Sequence, residues 1–229
     1  MSTRNIQLFL GLIIFIVILG ISYFSFLIKA KELSEPTEFA LSEGIMNRFK
    51  FEEIGLKPGD TIGDMALIDQ RKSAKVSLRK LLMGAKSNVI ITGSYTCDAT
   101  RSQMHSIDSI FNIYNSHYDF FFIHTIEAHP QASQSPYSAE VIPWEAERNL
   151  QAGIQAAQPS TVGERENLSD KLIEEETIKV PVLIDNAQNE FWKSIGQGPN
   201  MVVVVSPEGV ILHKASWFDP QELGSFLGP

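Results

Sequence analysis

Apolar residues are laid out in two ways along this chain. From 6 to 28 they form one run without charge, broken only by Gln7, Ser22 and Ser25 and carrying Tyr23 towards its end. About 20 apolar residues span a bilayer core, whereas the apolar stretch of a secretory signal is about 7–15 long. No small-x-small cleavage site separates the run from Lys29-Ala30-Lys31. The pattern predicts a tail at 1–5 and a retained single-pass transmembrane helix at 6–28. Its length without charge argues against a buried core helix.

Beyond it the apolar positions come in short runs and helical spacings. Residues 29–55 read as a polar tether with slight helical tendency, and 56–229 as one domain. The turn Leu56-Lys57-Pro58-Gly59-Asp60 precedes a hairpin of 65–68 with 75–77 around the polar loop 69–72. Ser77 is placed to cap a brief helix to Leu82. A buried strand at 89–92 leads to Cys97, after which Met104, Ile107, Ile110, Phe111 and Tyr114 keep helical spacing. A second strand covers 120–126. The connection 130–158, rich in Ser, Gln, Ala and Pro, holds a predicted helix at 145–157. Thr161 and Glu164 make a capping-box pattern for a helix to Glu176. A strand at 180–184, a hairpin of 201–205 with 210–213, and a helix behind Asp219-Pro220 complete the order. Helical crossovers between buried strands imply an α/β fold with a central mixed sheet and helices on both faces.

Composition is that of an ordinary folded domain, 44% hydrophobic and 20% charged. Charge is more selective. Three of the 19 Lys and Arg lie in 1–31, which has no acid, so the remainder sets 16 cations against 27 acids, a balance of −11. An acidic domain without basic clusters repels phosphate backbones, which sets nucleic acid aside as a partner. Arg4 before the span and Lys29 and Lys31 after it nearly balance, so the side carrying the domain stays open. The single cysteine among 229 residues has no partner for an intrachain disulfide. A free thiol fits a reducing compartment better. One cysteine and scattered histidines lack metal-ligand spacing, so no metal and no bound cofactor are expected.

Candidate chemistry centres on Gly93-Ser94-Tyr95-Thr96-Cys97. A strand ends in small residues and presents the thiol where the next helix begins. A helix N-terminus favours an anion, so a thiolate with a lowered pKa is expected. Such a sulfur attacks soft electrophiles: a halogen, a peroxide oxygen or a disulfide sulfur. The competing reading is a buried structural cysteine.

The element order, with a cysteine heading the first long helix of the domain and Gly198-Pro199 before the terminal hairpin, resembles the thioredoxin fold. Lys57-Pro58-Gly59-Asp60 and Val76-Ser77-Leu78 look like the opening of its redoxin-type members. In that fold the proline is usually cis and lies beside the active cysteine, which implies Pro199 near Cys97. Within the class, Gly93-Ser94-Tyr95-Thr96-Cys97, Ile126-Glu127-Ala128-His129-Pro130, Gln158-Pro159-Ser160-Thr161-Val162-Gly163-Glu164-Arg165 and Val182-Leu183-Ile184-Asp185 resemble, in order, four segments of the iodothyronine deiodinases. The likeness covers roughly residues 56–215, and the N-terminal anchor is matched as well. Cys97 stands where that family carries selenocysteine, and thiolate is the poorer nucleophile. Tyr95 replaces a family cysteine and Pro159 a family histidine. Asp98 replaces a proline and sets a carboxylate beside the sulfur.

The resemblance implies thiol-dependent reductive dehalogenation of an iodinated aromatic compound. Cys97 would be the nucleophile, taking iodine as a sulfenyl iodide that an external thiol reductant then reduces. His129, just past the strand beside that of Cys97, would protonate the carbon or support the thiolate, and is otherwise an exposed loop histidine. Glu127 would orient His129 or be a surface acid. Ser94 and Thr96 would donate hydrogen bonds to the sulfur or simply form the turn. Arg165 would pair with a substrate carboxylate or with neighbouring acids. His124 reads as a satisfied core residue, and His105, His117 and His213 have no grouping. The partners implied are a small-molecule substrate, the thiol reductant and the lipid bilayer through 6–28, with room for a homodimer. Two other functions compete. One is a one-cysteine peroxidase, in which Arg101, one turn on from Cys97, stabilises the thiolate. The other is a non-catalytic, membrane-tethered binding module.

Overall fold

In the computed structural model, which describes residues 3–39 and 51–228, the apolar run and a further turn make one helix, α1 (Thr3–Leu33). Side chains 10–31 are all exposed, so this is not a core helix, and it is long and apolar enough to cross a membrane. The tether differs from expectation. Residues 29–33 continue α1, because Lys-Ala-Lys-Glu-Leu favours helix until Pro36 restricts the residue before it. Residues 34–39 are then strapped onto the domain: Pro36 bridges Thr161, and the Glu38 N–H donates to the Ala187 carbonyl at 2.7 Å. Residues 51–53 form a 3-10 turn that buries Phe51. The expected tether at 40–50 lies outside the described residues.

The domain proper opens with the antiparallel hairpin β1 (Ala66–Asp69) and β2 (Ala74–Ser77) and the short α2 (Leu78–Leu82), whose first turn the Ser77 hydroxyl caps at Lys80 N. Then come β3 (Asn88–Gly93), α3 (Asp98–Tyr114), β4 (Asp119–His124), α4 (Glu147–Ala152), α5 (Val162–Glu176) and β5 (Val182–Ile184). After these follow α6 (Glu190–Ile195), β6 (Val202–Val205), β7 (Ile211–Ala215) and α7 (Pro220–Leu227). The seven strands form one sheet in the order β2-β1-β5-β4-β3-β6-β7. β3, β4 and β5 are parallel, while β1, β6 and β7 each run antiparallel to a neighbour.

Strand alternation explains the two layers. Val89, Ile91, Phe120, Phe122, Val202 and Val204 pack with Met104 and Ile107 of α3, Leu172 of α5 and Leu223 of α7. Their neighbours Ile90, Ile123, Val203 and Val205 face the other way, onto Leu78 and Leu82 of α2 and Phe191 and Trp192 of α6. Helices therefore cover both faces of a mixed sheet. This is the thioredoxin-like arrangement that the element order implied.

Three boundaries depart from the sequence reading. The helix expected at 145–157 is only α4, stopped by Gly153 in the left-handed region at φ 69°. The strand expected at 120–126 ends at His124, where the chain turns to carry residues 125–129 across the sheet edge. Helix α6 was not anticipated. Its N-terminus is held from a distance by Asp185, whose carboxylate accepts from Phe191 N (3.1 Å) and Trp192 N (2.9 Å).

Candidate active site

β3, β4 and β5 all end at one edge of the sheet, and β7, parallel to β3 through the intervening β6, ends there too. Cys97 follows β3, His129 follows β4 and Trp217 follows β7, so chain direction alone gathers them. Gly93 lets this happen at close range. A Cβ there would lie 2.5 Å from Thr100 Cγ2 and 2.6 Å from Phe122 Cζ, so only glycine lets α3 start against the strand.

Cys97 is the N-cap of α3, and its Sγ accepts from Thr100 N at 3.4 Å. The expected lowered pKa does not follow. Cys97 is 1% exposed. Burial pushes its thiol up to about 11; the Thr100 N–H opposes this, and the carboxylates of Asp98 and Glu127 add to it. Desolvation thus outweighs the helix terminus, and the resting sulfur is a thiol.

Ser94 and Thr96 do not serve the sulfur. Ser94 Oγ accepts from Ala128 N (3.2 Å); Thr96 Oγ1 accepts from His129 N (3.1 Å) and donates to Glu127 Oε2 (2.6 Å). They stitch the cysteine loop to 127–129. Glu127, fully buried, is the hub of that seam. Its carboxylate accepts from Thr96 N (2.6 Å) and Tyr95 N (3.3 Å) and pairs with His124 Nε2 at 2.8 Å. Burial raises its pKa, but His124 and Thr96 outweigh that and hold it below the ordinary carboxylate value. Glu127 is therefore the partner of His124 and not of His129. Beyond His124 the strand ends and the chain turns inward, which sets residues 124 and 127 face to face.

His129 pairs instead with Asp98, Nε2 to Oδ1 at 3.2 Å, and its ring stands edge-on to Trp144 with centroids 4.4 Å apart. Burial lowers its pKa, against the pull of Asp98, so it is a neutral imidazole at neutral pH. The Trp144 backbone, like Asp98, favours the protonated ring, and burial outweighs both. Cys97, His129, Pro199, Tyr137, Trp144 and Trp217 line one pocket of about 60 Å³. Pro199 is in the expected place but trans, since no cis peptide occurs among the described residues.

Two arginines lie elsewhere. Arg165 is 1% exposed and donates Nη1 to the carbonyls of Asp185 (3.1 Å) and Asn186 (2.9 Å), so it fastens the chain after β5 and does not line the Cys97 pocket. Arg101 pairs with Glu175 (2.9 Å) and Glu176 (2.7 Å) beside the Tyr95 ring, away from the sulfur. The residues that sequence reasoning missed are the roof. Asn149 of α4 donates to the Thr96 carbonyl at 2.7 Å, and Gln158 exchanges bonds with the Glu127 backbone at 3.0 and 2.7 Å. Tyr137 receives Trp192 Nε1–H at 3.0 Å. The only sequence signal for this was tryptophan, since two of the chain's three stand at this pocket.

Fold and site together define a thioredoxin-fold protein with one buried thiol at the head of α3. No protein-family model and no curated protein sequence matches the chain. Among solved structures it is similar to a thiol:disulfide interchange protein from Bacteroides sp., with 17% identity over 75% of this chain and 91% of that one and a TM-score of 0.49. The thioredoxin domain of a thiol-disulfide oxidoreductase from Bacteroides vulgatus has 16% identity over 76% and 100%, with a TM-score of 0.47. A thiol peroxidase from Chromobacterium violaceum has 13% identity over 76% and 88%, with a TM-score of 0.46.

Proposed function

We propose that this chain is a membrane-anchored, one-cysteine oxidoreductase that reductively removes iodine from an aromatic compound at the expense of an external thiol. The observation that carries the reading is the convergence of Cys97 and the His129–Asp98 pair on one pocket walled by Trp144, Trp217 and Tyr137. Aromatic walls suit an aryl ring. A peroxide would need a cation near the sulfur, and Arg101 is committed to Glu175 and Glu176.

In this chemistry the neutral His129 takes the Cys97 proton, and the sulfur attacks iodine. The S–I bond forms, the C–I bond breaks, and its electron pair stays on the ring carbon, which takes the proton from His129. Two equivalents of an external thiol then reduce the sulfenyl iodide, giving Cys97 thiol, a disulfide and hydrogen iodide. Ligand pockets usually reach about 300 Å³ or more, so this pocket admits the reacting end of a ligand and not its whole body. Helix α1 is the anchor.

A second reading, a non-catalytic binding module, is favoured by the burial of Cys97 and its thiol pushed up to about 11. One experiment separates them. The full chain in detergent is incubated with dithiothreitol and either an iodinated tyrosine derivative or hydrogen peroxide. Iodide release that disappears in Cys97→Ser supports dehalogenation, whereas Cys97-dependent peroxide consumption without iodide release replaces it with a peroxidase. Neither activity, in a chain that binds the aromatic compound, leaves the module.

A further inference from the structure

The rim of the pocket is unusually apolar for a solvent-facing surface. Trp144 is 43% exposed, Trp217 47%, Ile142 52% and Leu150 45%. Trp144 and Trp217 line the pocket, while Ile142 and Leu150 stand in the same 130–158 connection as Trp144.

The strap from α1 arrives at that same edge. Pro36 and Thr37 pair with Thr161 and Ser160 at the head of α5, which leaves the edge where β4 ends. Glu38 is bonded to Ala187 and Asn189, just past the end of β5. Leu33 itself touches Gly163, where a Cβ would lie 3.0 Å from the Leu33 carbonyl oxygen. Among the described residues the domain therefore meets α1 at its last turn, and side chains 10–31 project clear of it.

Distance then decides what the rim faces. From Ile28, where the apolar run ends, to Leu33 is five helical residues, about 8 Å of rise. The headgroup region on each side of a bilayer is about 5–8 Å thick. If α1 spans the bilayer close to upright, the head of α5 stands at the outer limit of the headgroup layer, and the sheet edge to which it belongs lies along the membrane. Tryptophan is the side chain that prefers that depth.

We infer that the mouth of the Cys97 pocket rests on the membrane that α1 crosses, with Trp144, Trp217 and Ile142 in the headgroup layer. This rests on the reading of α1 as an anchor and not on any turnover by Cys97. The lipid it fits is zwitterionic, because the residues beyond α1 are acidic and Glu140, Glu145 and Glu147 flank the rim.

The test uses the full chain in phosphatidylcholine vesicles, with and without phosphatidylcholine brominated near the top of its acyl chains. Two of the three tryptophans are at the rim and Trp192 is buried, so brominated lipid should remove up to about two thirds of the emission. Trp144→Phe and Trp217→Phe should each lose a share of that quenching, and the double variant nearly all of it. Alkaline carbonate extraction of the same vesicles tests the anchor separately. A chain that stays in the membrane but is quenched by aqueous acrylamide and not by brominated lipid overturns the inference while leaving the anchor standing. Release by carbonate removes both. Rim tryptophans shielded from both quenchers, in a chain that cross-linking traps as a dimer, would mean that a second copy covers the rim, which also overturns it.

Discussion

The acidity of Cys97 is the sharpest quantity in the structure, and it is open to direct titration. With its thiol at about 11, the ionised fraction at pH 7.5 is about 3 × 10⁻⁴. An unperturbed cysteine near 8.5 is about 10% ionised at that pH. Ionisation alone therefore slows alkylation about 300-fold, and burial under the 130–158 segment slows it further. The measurement is the second-order rate of iodoacetamide labelling of the full chain in detergent between pH 6 and 10.5, against a cysteine peptide. The log of the rate should climb with unit slope to above pH 10. Asp98→Asn removes a carboxylate whose charge raises the thiol, and should speed labelling at pH 7.5 by about two- to threefold, the one-third exposure of Asp98 keeping the effect small. Stability carries the same signal. The folded pKa lies above the unfolded one, so Cys97 contributes fully below about pH 8.5. That contribution is lost as pH rises towards 11, by about 1.4 kcal/mol per pH unit between those limits. Cys97→Ala should lack that alkaline limb. A labelling rate within tenfold of the peptide at pH 7.5, or a plateau below pH 9, would refute the reasoning that desolvation overrides the helix terminus.

Other perturbations test the frame around the sulfur. Glu127→Gln removes the charge that Thr96 N, Thr96 Oγ1 and His124 share, and should cost about 3–5 kcal/mol, read as a fall in Tm of about 6–15 °C. Because the folded Glu127 pKa is depressed, the wild type should also lose stability as pH falls below the ordinary carboxylate range, and the variant should lack that loss; unchanged curves would remove Glu127 as the hub. Gly93→Ala forces a methyl to 2.5 Å from Thr100 Cγ2 and should cost about 1–3 kcal/mol in a urea titration, an unshifted midpoint meaning that α3 can retreat from β3. Asn149→Ala cuts the 2.7 Å bond from α4 to the Thr96 carbonyl, worth about 1–2 kcal/mol, and should speed Cys97 labelling about 5- to 30-fold at pH 9; an unchanged rate would show that this contact does not hold the roof down.

What could be read from the chain beforehand was what depends on near neighbours. The caps at Ser77, Thr161 and Asp219 are local side-chain-to-backbone bonds, and each is present. Even there one detail moved: the Glu164 carboxylate reaches past the cap and accepts from Ser160 N at 2.6 Å. The two-faced alternation of the strands likewise needs only period-two spacing, and the layers followed from it. The errors fall where distant segments decide. Asp185 starts α6 from several residues away. Arg165 reads as a partner for carboxylates, but the chain just past β5 turns two carbonyls inward, and the side chain is buried to meet them. Whether Glu127 serves His129 or His124 depends on where β4 stops. Two residues of extra strand would have turned the carboxylate elsewhere.

The chemistry of the site rests on one contest with a definite sign. A helix terminus lowers a thiol pKa by a fraction of an interaction that water would weaken, while burial removes the water that an anion needs. In the resting protein burial wins, because α4, Tyr137 and Trp144 close over Cys97. On its outer side the pocket is closed by Trp144 and Trp217, each nearly half exposed. A ligand larger than the 60 Å³ pocket has to part them to bring its reactive atom to the sulfur. Parting them changes the surroundings of the sulfur, and its proton then needs a base beside it. The neutral His129, already oriented by Asp98, is the base in place to receive it. In the proposed reaction, then, ionisation of the thiol follows entry of the substrate, and a thiol that stays protonated with the aromatic compound bound would leave the binding module.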